Sequence, residues 1–303
     1  MANLLVTGSI GIDSVDTPHG SRRDCIGGSA VYFALAASKL NPVRLVGTVG
    51  DDCPPRFFEV LKAHNIDAGG LEVRKGSRTF RWHGRYSEDM NSRETLEVHL
   101  NVLAEKGPTI PEAFRDSEYV FLANNDPALQ LEFLDQVRNP RLVVFDTMDL
   151  WISQHRERLM KVFARTDGVV LNDSESRMLT GKSNILTAAI EISRMGPKYV
   201  VIKKGEHGVV LYTRDGLLVL PAFLTEHVVD PTGAGDSFAG GLMGYLASRD
   251  ATVDDADAWR KGLVYATVVA SFTVESFSVE GLTGLDNGSI EGRLRAFERI
   301  IQP

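Results

Sequence analysis

Asp230-Pro231-Thr232-Gly233-Ala234-Gly235-Asp236-Ser237-Phe238-Ala239-Gly240-Gly241 decides the reading of this 303-residue chain. It follows the β-branched pair Val228-Val229 and runs into an apolar helical pattern that ends near Ser248. The predicted order is strand, glycine turn, helix start, with a carboxylate at each end of the turn. The first N–H groups of a helix have no partner within it, and the helix dipole adds positive potential there. Glycines let an anion approach that backbone without side-chain obstruction. A carboxylate placed in an anion site, as Asp236 is, must do something other than bind the anion. Taking a proton from a hydroxyl that attacks a phosphoryl group is chemistry that needs an acidic residue there.

Outward from the turn, strand and helix patterns alternate. Residues 3–7, 44–47, 119–123, 142–145, 169–171 and 199–202 read as strands. Helical patterns cover 29–40, 56–64, 129–137, 151–163, 175–179 and 188–195. Strands at 209–212 and 217–220 flank the turn Arg214-Asp215-Gly216 as a hairpin. Three helices, around Leu242, Val264 and Leu294, finish the chain. Repeated β-then-α units predict a mostly parallel sheet covered on both faces.

Two segments break the alternation. Residues 13–24 are polar and carry Pro18 and Gly20. Residues 79–102 read as two strands around a charged loop. Phe80, Trp82 and Tyr86 share one face of the first strand, and Arg81, His83 and Arg85 the other. In the second, Leu96, Val98, Leu100 and Val102 stand opposite Glu97, His99 and Asn101. An apolar face on so small an excursion needs a cover, which the domain itself can supply.

Hydrophobic content of 43% and charged content of 24% are globular values. The length suits one large α/β domain over 1–303, with appended segments at about 13–25 and 77–102. The net charge of -7 argues against nucleic acid or an anionic membrane surface as partner. Cys25 and Cys53 give neither a disulfide framework nor metal spacing, which fits a reducing cytoplasm. No secretory signal or membrane-spanning run is read in the sequence.

From Asp230 through Gly233-Ala234-Gly235-Asp236 to Gly240-Gly241-Leu242-Met243, the turn resembles the second signature of the ribokinase-like carbohydrate kinases, the phosphofructokinase-B type. Other matches are spread over most of the chain. The resemblance implies an α/β fold: a three-layer α/β/α sandwich with a mostly parallel central sheet and a small β-sheet lid. The lid covers the sugar site, and some members form a homodimer through it. The implied activity is an ATP-dependent, Mg²⁺-requiring kinase that moves the γ-phosphoryl group to a hydroxyl, above all a CH₂OH, of a sugar or sugar-like molecule. A nucleoside kinase on the same fold is the alternative, which the lid aromatics and Tyr32 would suit by stacking on a base. A non-catalytic sugar-binding protein is less favoured, because a pure binder has no use for Asp236.

The resemblance also assigns residues. Asp236 becomes the base, and the amides of Gly233, Ala234 and Gly235 hold the charge on the transferring group. Asp13, in Gly8-Ser9-Ile10-Gly11-Ile12-Asp13, accepts hydrogen bonds from sugar hydroxyls beyond the first strand. Gly27-Gly28 lets the backbone touch the acceptor, and it equally fits a turn before Ser29 as a helix cap. Tyr32 stands where many relatives carry Asn, which bears on the acceptor's identity. Trp82 belongs to the lid. Asn172-Asp173-Ser174-Glu175 matches an Asn-x-x-Glu motif whose Asn and Glu organise Mg²⁺ and phosphate through water. It also fits a capped helix start. Lys203-Lys204-Gly205-Glu206-His207-Gly208 is similar to the nucleotide loop, with Gly205 and Gly208 turning near ATP, and it also fits a plain hairpin turn. Asp230 matches a position that holds a monovalent cation, K⁺, in some relatives. Thr180-Gly181-Lys182-Ser183 is no Walker A ending, since Ser176 stands where a glycine is required. Gly181 reads as a helix stop.

Overall fold

The computed structural model describes residues 2–302. In chain order the strands are β1 Leu4–Thr7, β2 Gly11–Thr17, β3 Gly20–Gly27, β4 Val43–Gly50, β5 Ile66–Arg74, β6 Phe80–Tyr86, β7 Arg93–His99, β8 Tyr119–Leu122, β9 Leu142–Asp146, β10 Gly168–Asn172, β11 Tyr199–Lys203, β12 Val209–Thr213 and β13 Gly216–Leu220. The helices are α1 Ser29–Ala37, α2 Pro55–Ala63, α3 Pro127–Leu134, α4 Asp149–Gln154, α5 Arg156–Phe163, α6 Asp173–Thr180, α7 Ile185–Ser193, α8 Ala234–Ser248, α9 Ala256–Thr273, α10 Glu280–Thr283 and α11 Asn287–Ile301.

Nine strands make the main sheet, in the order β13-β12-β11-β10-β9-β8-β1-β4-β5. From β11 to β5 all neighbours run parallel, and the β12–β13 hairpin closes one edge antiparallel. Both faces are covered, as near-continuous apolar strands require. In β1, Leu4 and Val6 face a core built with α1, α2, α8, α9 and α11, whereas Leu5 faces one built with α3, α4, α5, α6 and α7. Phe33 stacks on Phe121 at 4.4 Å and Tyr199 on Trp259 at 3.9 Å in the first of these cores. The architecture is a three-layer α/β/α sandwich. Among the described residues no helix is long and apolar enough to cross a membrane.

A second, four-stranded sheet has the order β3-β2-β6-β7. The two segments that broke the alternation build it. The polar one folds as the β2–β3 hairpin, and β6–β7 pairs onto β2. This is the lid, and β1 leads into it within four residues.

Several elements differ from the sequence expectation. No strand precedes the glycine turn: Val228-Val229 is loop, and the Val229 and Asp230 amides both donate to the Val274 carbonyl. The helix expected over 151–163 is two, α4 and α5, broken at His155. Strand β5 carries Gly69-Gly70 and a mixed burial pattern that hides its period. The second lid strand ends at His99. Val102 is buried in a 3-10 turn, Asn101–Ala104, where its amide bonds Arg78, while Leu96, Val98 and Leu100 stay exposed.

Candidate active site

The site lies beyond the carboxyl ends of the parallel strands, where open α/β sheets bind ligands. Asp13, on β2, is buried. A β-carbon on Gly27 would collide with its carboxylate, and one on Gly28 would stand 2.5 Å from the Ser9 carbonyl. Gly28 has φ 100° and its amide donates to Asp13. Gly27 therefore makes room for the carboxylate, and Gly28 for the close approach of the Ser9–Gly11 backbone. Gly28, rather than Ser29, is the residue at the cap of α1. Burial, and to a lesser degree the charges of Asp230 and Asp236, push Asp13 up to about 7.

Across the site, Gly233 caps α8 in the left-handed conformation, φ 76°. Ala234, Gly235 and Asp236 form the first helical turn. A β-carbon on Gly233 would collide with the Tyr32 ring. Tyr32 itself is buried, so it backs the turn from within α1. A β-carbon on Gly235 would stand 2.5 Å from Lys203 Nζ. The ammonium at the end of β11 thus lies against the amides of the turn, a concentration of positive potential suited to phosphate. Burial raises Asp236, while Lys203 and Arg93 pull it back.

Asp230 is buried and its two oxygens accept from the Thr232 amide at 2.9 Å and the Ser278 amide at 3.2 Å. It pins the turn to the segment after α9. Asn172 and Glu175 form a capping box on α6: Asn172 Oδ1 accepts from the Glu175 amide and Glu175 Oε2 from the Asn172 amide, both at 2.7 Å. The cap of α6 is Asn172 itself. Burial pushes Glu175 up to about 7, and Lys203 opposes that.

Two residues that the sequence reading missed join this cluster. Asp146 ends β9, is buried, and its Oδ1 has no hydrogen-bond partner. Burial first, then the charges of Asp236 and Glu175, hold it well above the usual carboxylate range. Its one sequence signal is an acid at the carboxyl end of an apolar strand. Arg93, the first residue of β7, bears on Asp13, Asp236 and Glu175 from the lid.

The lid meets the site through its inner face. Asp13 pairs in register with Trp82, and Trp82 with Val98. The Trp82 ring covers Gly84 and its Nε1 donates to Thr95 at 3.2 Å. Tyr86 is buried and its hydroxyl lies 3.2 Å from Thr232 Oγ1, in the glycine turn. At the hairpin tip, Asn91 Nδ2 donates to Glu206 at 3.0 Å, in the loop carrying Gly205. The lid is down across both halves. Gly205 has φ 54° and faces Asn91, whereas Gly208, φ 87°, packs against the Leu220 carbonyl and Pro221 as the turn glycine between β11 and β12.

Residues 2–281 match the family model described as pfkB family carbohydrate kinase. The chain belongs to that family. It is 32% identical over 256 residues to the cytidine kinase of Thermococcus kodakarensis, covering 82% of this chain and 90% of that one. To the nucleoside kinase of Methanocaldococcus jannaschii it is 30% identical over 258 residues, covering 84% and 81%. The fold superposes on the aminoimidazole riboside kinase of Salmonella enterica, solved with aminoimidazole riboside and an ATP analog. The TM-score is 0.77 at 21% identity, over 96% of this chain and 99% of that one. As a pfkB-family kinase the chain is a phosphotransferase that carries the γ-phosphoryl group of ATP to an alcohol of a sugar or sugar-like molecule.

Proposed function

We propose that this kinase phosphorylates the CH₂OH of a nucleoside. The observation that carries the reading is the register of Asp13 with Trp82 on one face of the lid. A carboxylate that can take two ribose hydroxyls sits one strand from an indole that can cover a flat base. The relatives of 30% identity or more quoted above, a cytidine kinase and a nucleoside kinase, support it.

In this reading Asp13 and the Gly27-Gly28 backbone hold the ribose, and Asp236 orients the CH₂OH and accepts its proton. A base raised by burial is better matched to neutral pH than an ordinary carboxylate. The N-terminal amides of α8 and Lys203 meet the charge that gathers on the transferring group. The loop with Gly205 and Gly208 borders the nucleotide. Asp146 has an orphaned oxygen and feels the charge of Glu175, and a hard dication that keeps most of its waters needs only such a small number of carboxylates. Asp146 and Glu175, partly through water, would hold Mg²⁺, which when bound offsets negative charge on the phosphates. Each Asp230 oxygen accepts one backbone amide and keeps a further lone pair, so Asp230 would be the residue to help hold a monovalent cation such as K⁺. ATP as donor supports a cytoplasmic setting. Leu96 and Val98 on the exposed edge strand, with Leu100 just past its end, are what a lid-to-lid homodimer would cover, and light scattering reads that directly.

The test is a comparison of kcat/KM for ADP release across ribonucleosides, pentoses and hexoses. Nucleosides should exceed free sugars by at least about tenfold, the worth of one base stack. A free sugar that outperforms every nucleoside would replace this reading with a sugar kinase.

A further inference from the structure

Tyr86 ends β6 and joins the lid to the glycine turn. Its ring is buried, and its hydroxyl accepts a hydrogen bond from Thr232 Oγ1 at 3.2 Å, across 146 positions of sequence. Thr232 opens the turn. The Ala234 amide donates to the Pro231 carbonyl at 3.1 Å, and Gly233 between them has φ 76° and ψ 0°, the glycine position of a type II turn. A glycine there tolerates more than one orientation of the peptide before it, so the backbone alone does not hold the shape. Contacts with neighbours do. The Thr232 amide donates to Asp230 Oδ1 at 2.9 Å. The Tyr32 ring lies where a β-carbon on Gly233 would go, and the Tyr32 amide donates to the Gly28 carbonyl at 3.3 Å. Asp230 and Tyr32 belong to the body of the enzyme. Tyr86 is the lid's contribution.

The turn sets the first amides of α8, and Lys203 Nζ rests beside Gly235 within it. A shift at Thr232 therefore moves the groups that meet phosphate. The same hairpin touches the phosphate side a second time, where Asn91 Nδ2 donates to Glu206 at 3.0 Å in the loop after β11. Asp13, on the neighbouring strand β2, pairs in register with Trp82 on β6, four residues before Tyr86. A contact that holds an acceptor against Asp13 and Trp82 thus also holds the Tyr86 hydroxyl on Thr232.

We propose that Tyr86 is a positioning residue, which passes the state of the lid to the anion turn through its hydrogen bond to Thr232. The proposal rests on the kinase reading above. With an acceptor bound the lid is down, Thr232 is held by both Asp230 and Tyr86, and the amides of Gly233, Ala234 and Gly235 keep one arrangement around the γ-phosphate. Without an acceptor the lid lifts, the hydrogen bond breaks and the turn loosens. ATP then binds more weakly. The coupling is reciprocal, so bound ATP tightens the acceptor by the same factor. Tyr86 touches no reacting atom and exchanges no proton.

The experiment is calorimetry of ATP binding in the presence of Mg²⁺, with and without a deoxy analogue of the best acceptor that lacks the reacting hydroxyl. It compares the wild type with Tyr86→Phe, Thr232→Val and the double variant. Arg85→Gln, exposed on the same strand, is the control. A hydrogen bond of this kind contributes about 2- to 10-fold, so the analogue should tighten ATP at least about 2-fold in the wild type and almost not at all in Tyr86→Phe. Affinity for ATP alone should be the same in both. The double variant should lose no more coupling than Tyr86→Phe, because each change removes the same bond. Arg85→Gln should match the wild type. Coupling that survives in Tyr86→Phe, or a wild type without coupling, overturns the proposal. So does a Tyr86→Phe protein that binds ATP alone more weakly and melts lower, which would make Tyr86 a structural prop. A wild type with no turnover on any acceptor would instead sink the kinase reading.

Discussion

Gly233 holds the left-handed conformation on which the anion turn depends, with φ 76° and the Tyr32 ring directly behind it. Gly233→Val meets both obstacles. Strain of this kind costs about 1–3 kcal/mol, so kcat/KM for ATP should fall about 10–100-fold, and steady-state kinetics read it. Asp236→Asn keeps the shape and deletes the proton acceptor. Turnover should drop by about 10²–10⁴ while ATP affinity, read by calorimetry, holds. Asp13 brings a pH dependence. It must be ionised to accept sugar hydroxyls, so kcat/KM for the acceptor should rise with pH through about 7, and Asp13→Asn should flatten the profile. The sign for stability is opposite. The folded carboxyl binds its proton more tightly than at its ordinary value of 3.8, so its share of stability is present below that and is lost as pH rises through about 7. Asp13 and Asp236 stand out in the sequence because glycines beside them announce close approach. Asp146 and Arg93 do not, because only tertiary placement brings them to the candidate site.

At the scale of elements, α8 reaches the site because it can lie close against α1. A β-carbon on Gly244 would stand 2.9 Å from the Ala37 backbone, and one on Gly240 would collide with the Phe33 carbonyl. Ala34, Ala36 and Ala37 supply the matching small face of α1. Gly244→Leu overpacks this contact. Such insertions cost about 1–3 kcal/mol, and thermal melting should show the loss together with reduced kcat, since the same shift moves Gly233 and Asp236. Helices with a glycine or Asn boundary, such as α6 between Asn172 and Gly181, could be placed from sequence because the cap itself is a local signal. β5 could not, because an edge strand with two glycines and one buried face has no clean period. The break at His155 was hidden because Ile152, Leu159 and Phe163 keep one helical register across the polar run 153–158.

At the scale of the molecule, the kinase is two sheets with the candidate site where they meet. The main sheet brings Asp146, Asn172 and Lys203 to its strand ends beside the start of α8. The lid sheet carries Asp13, Trp82 and Arg93 on β2, β6 and β7. The α/β layering was plain in the alternation of patterns. That the polar residues 13–24 are strands was not, because β3 is exposed along most of its length and β2 buries the carboxylate Asp13, so neither shows an apolar period. The most direct test of the account is phosphorus NMR of the purified protein turning over ATP with a nucleoside. It predicts a phosphomonoester resonance split by two methylene protons, growing in step with ADP. ADP accompanied by free phosphate, or an ester whose phosphorus couples to a single ring proton, would contradict it.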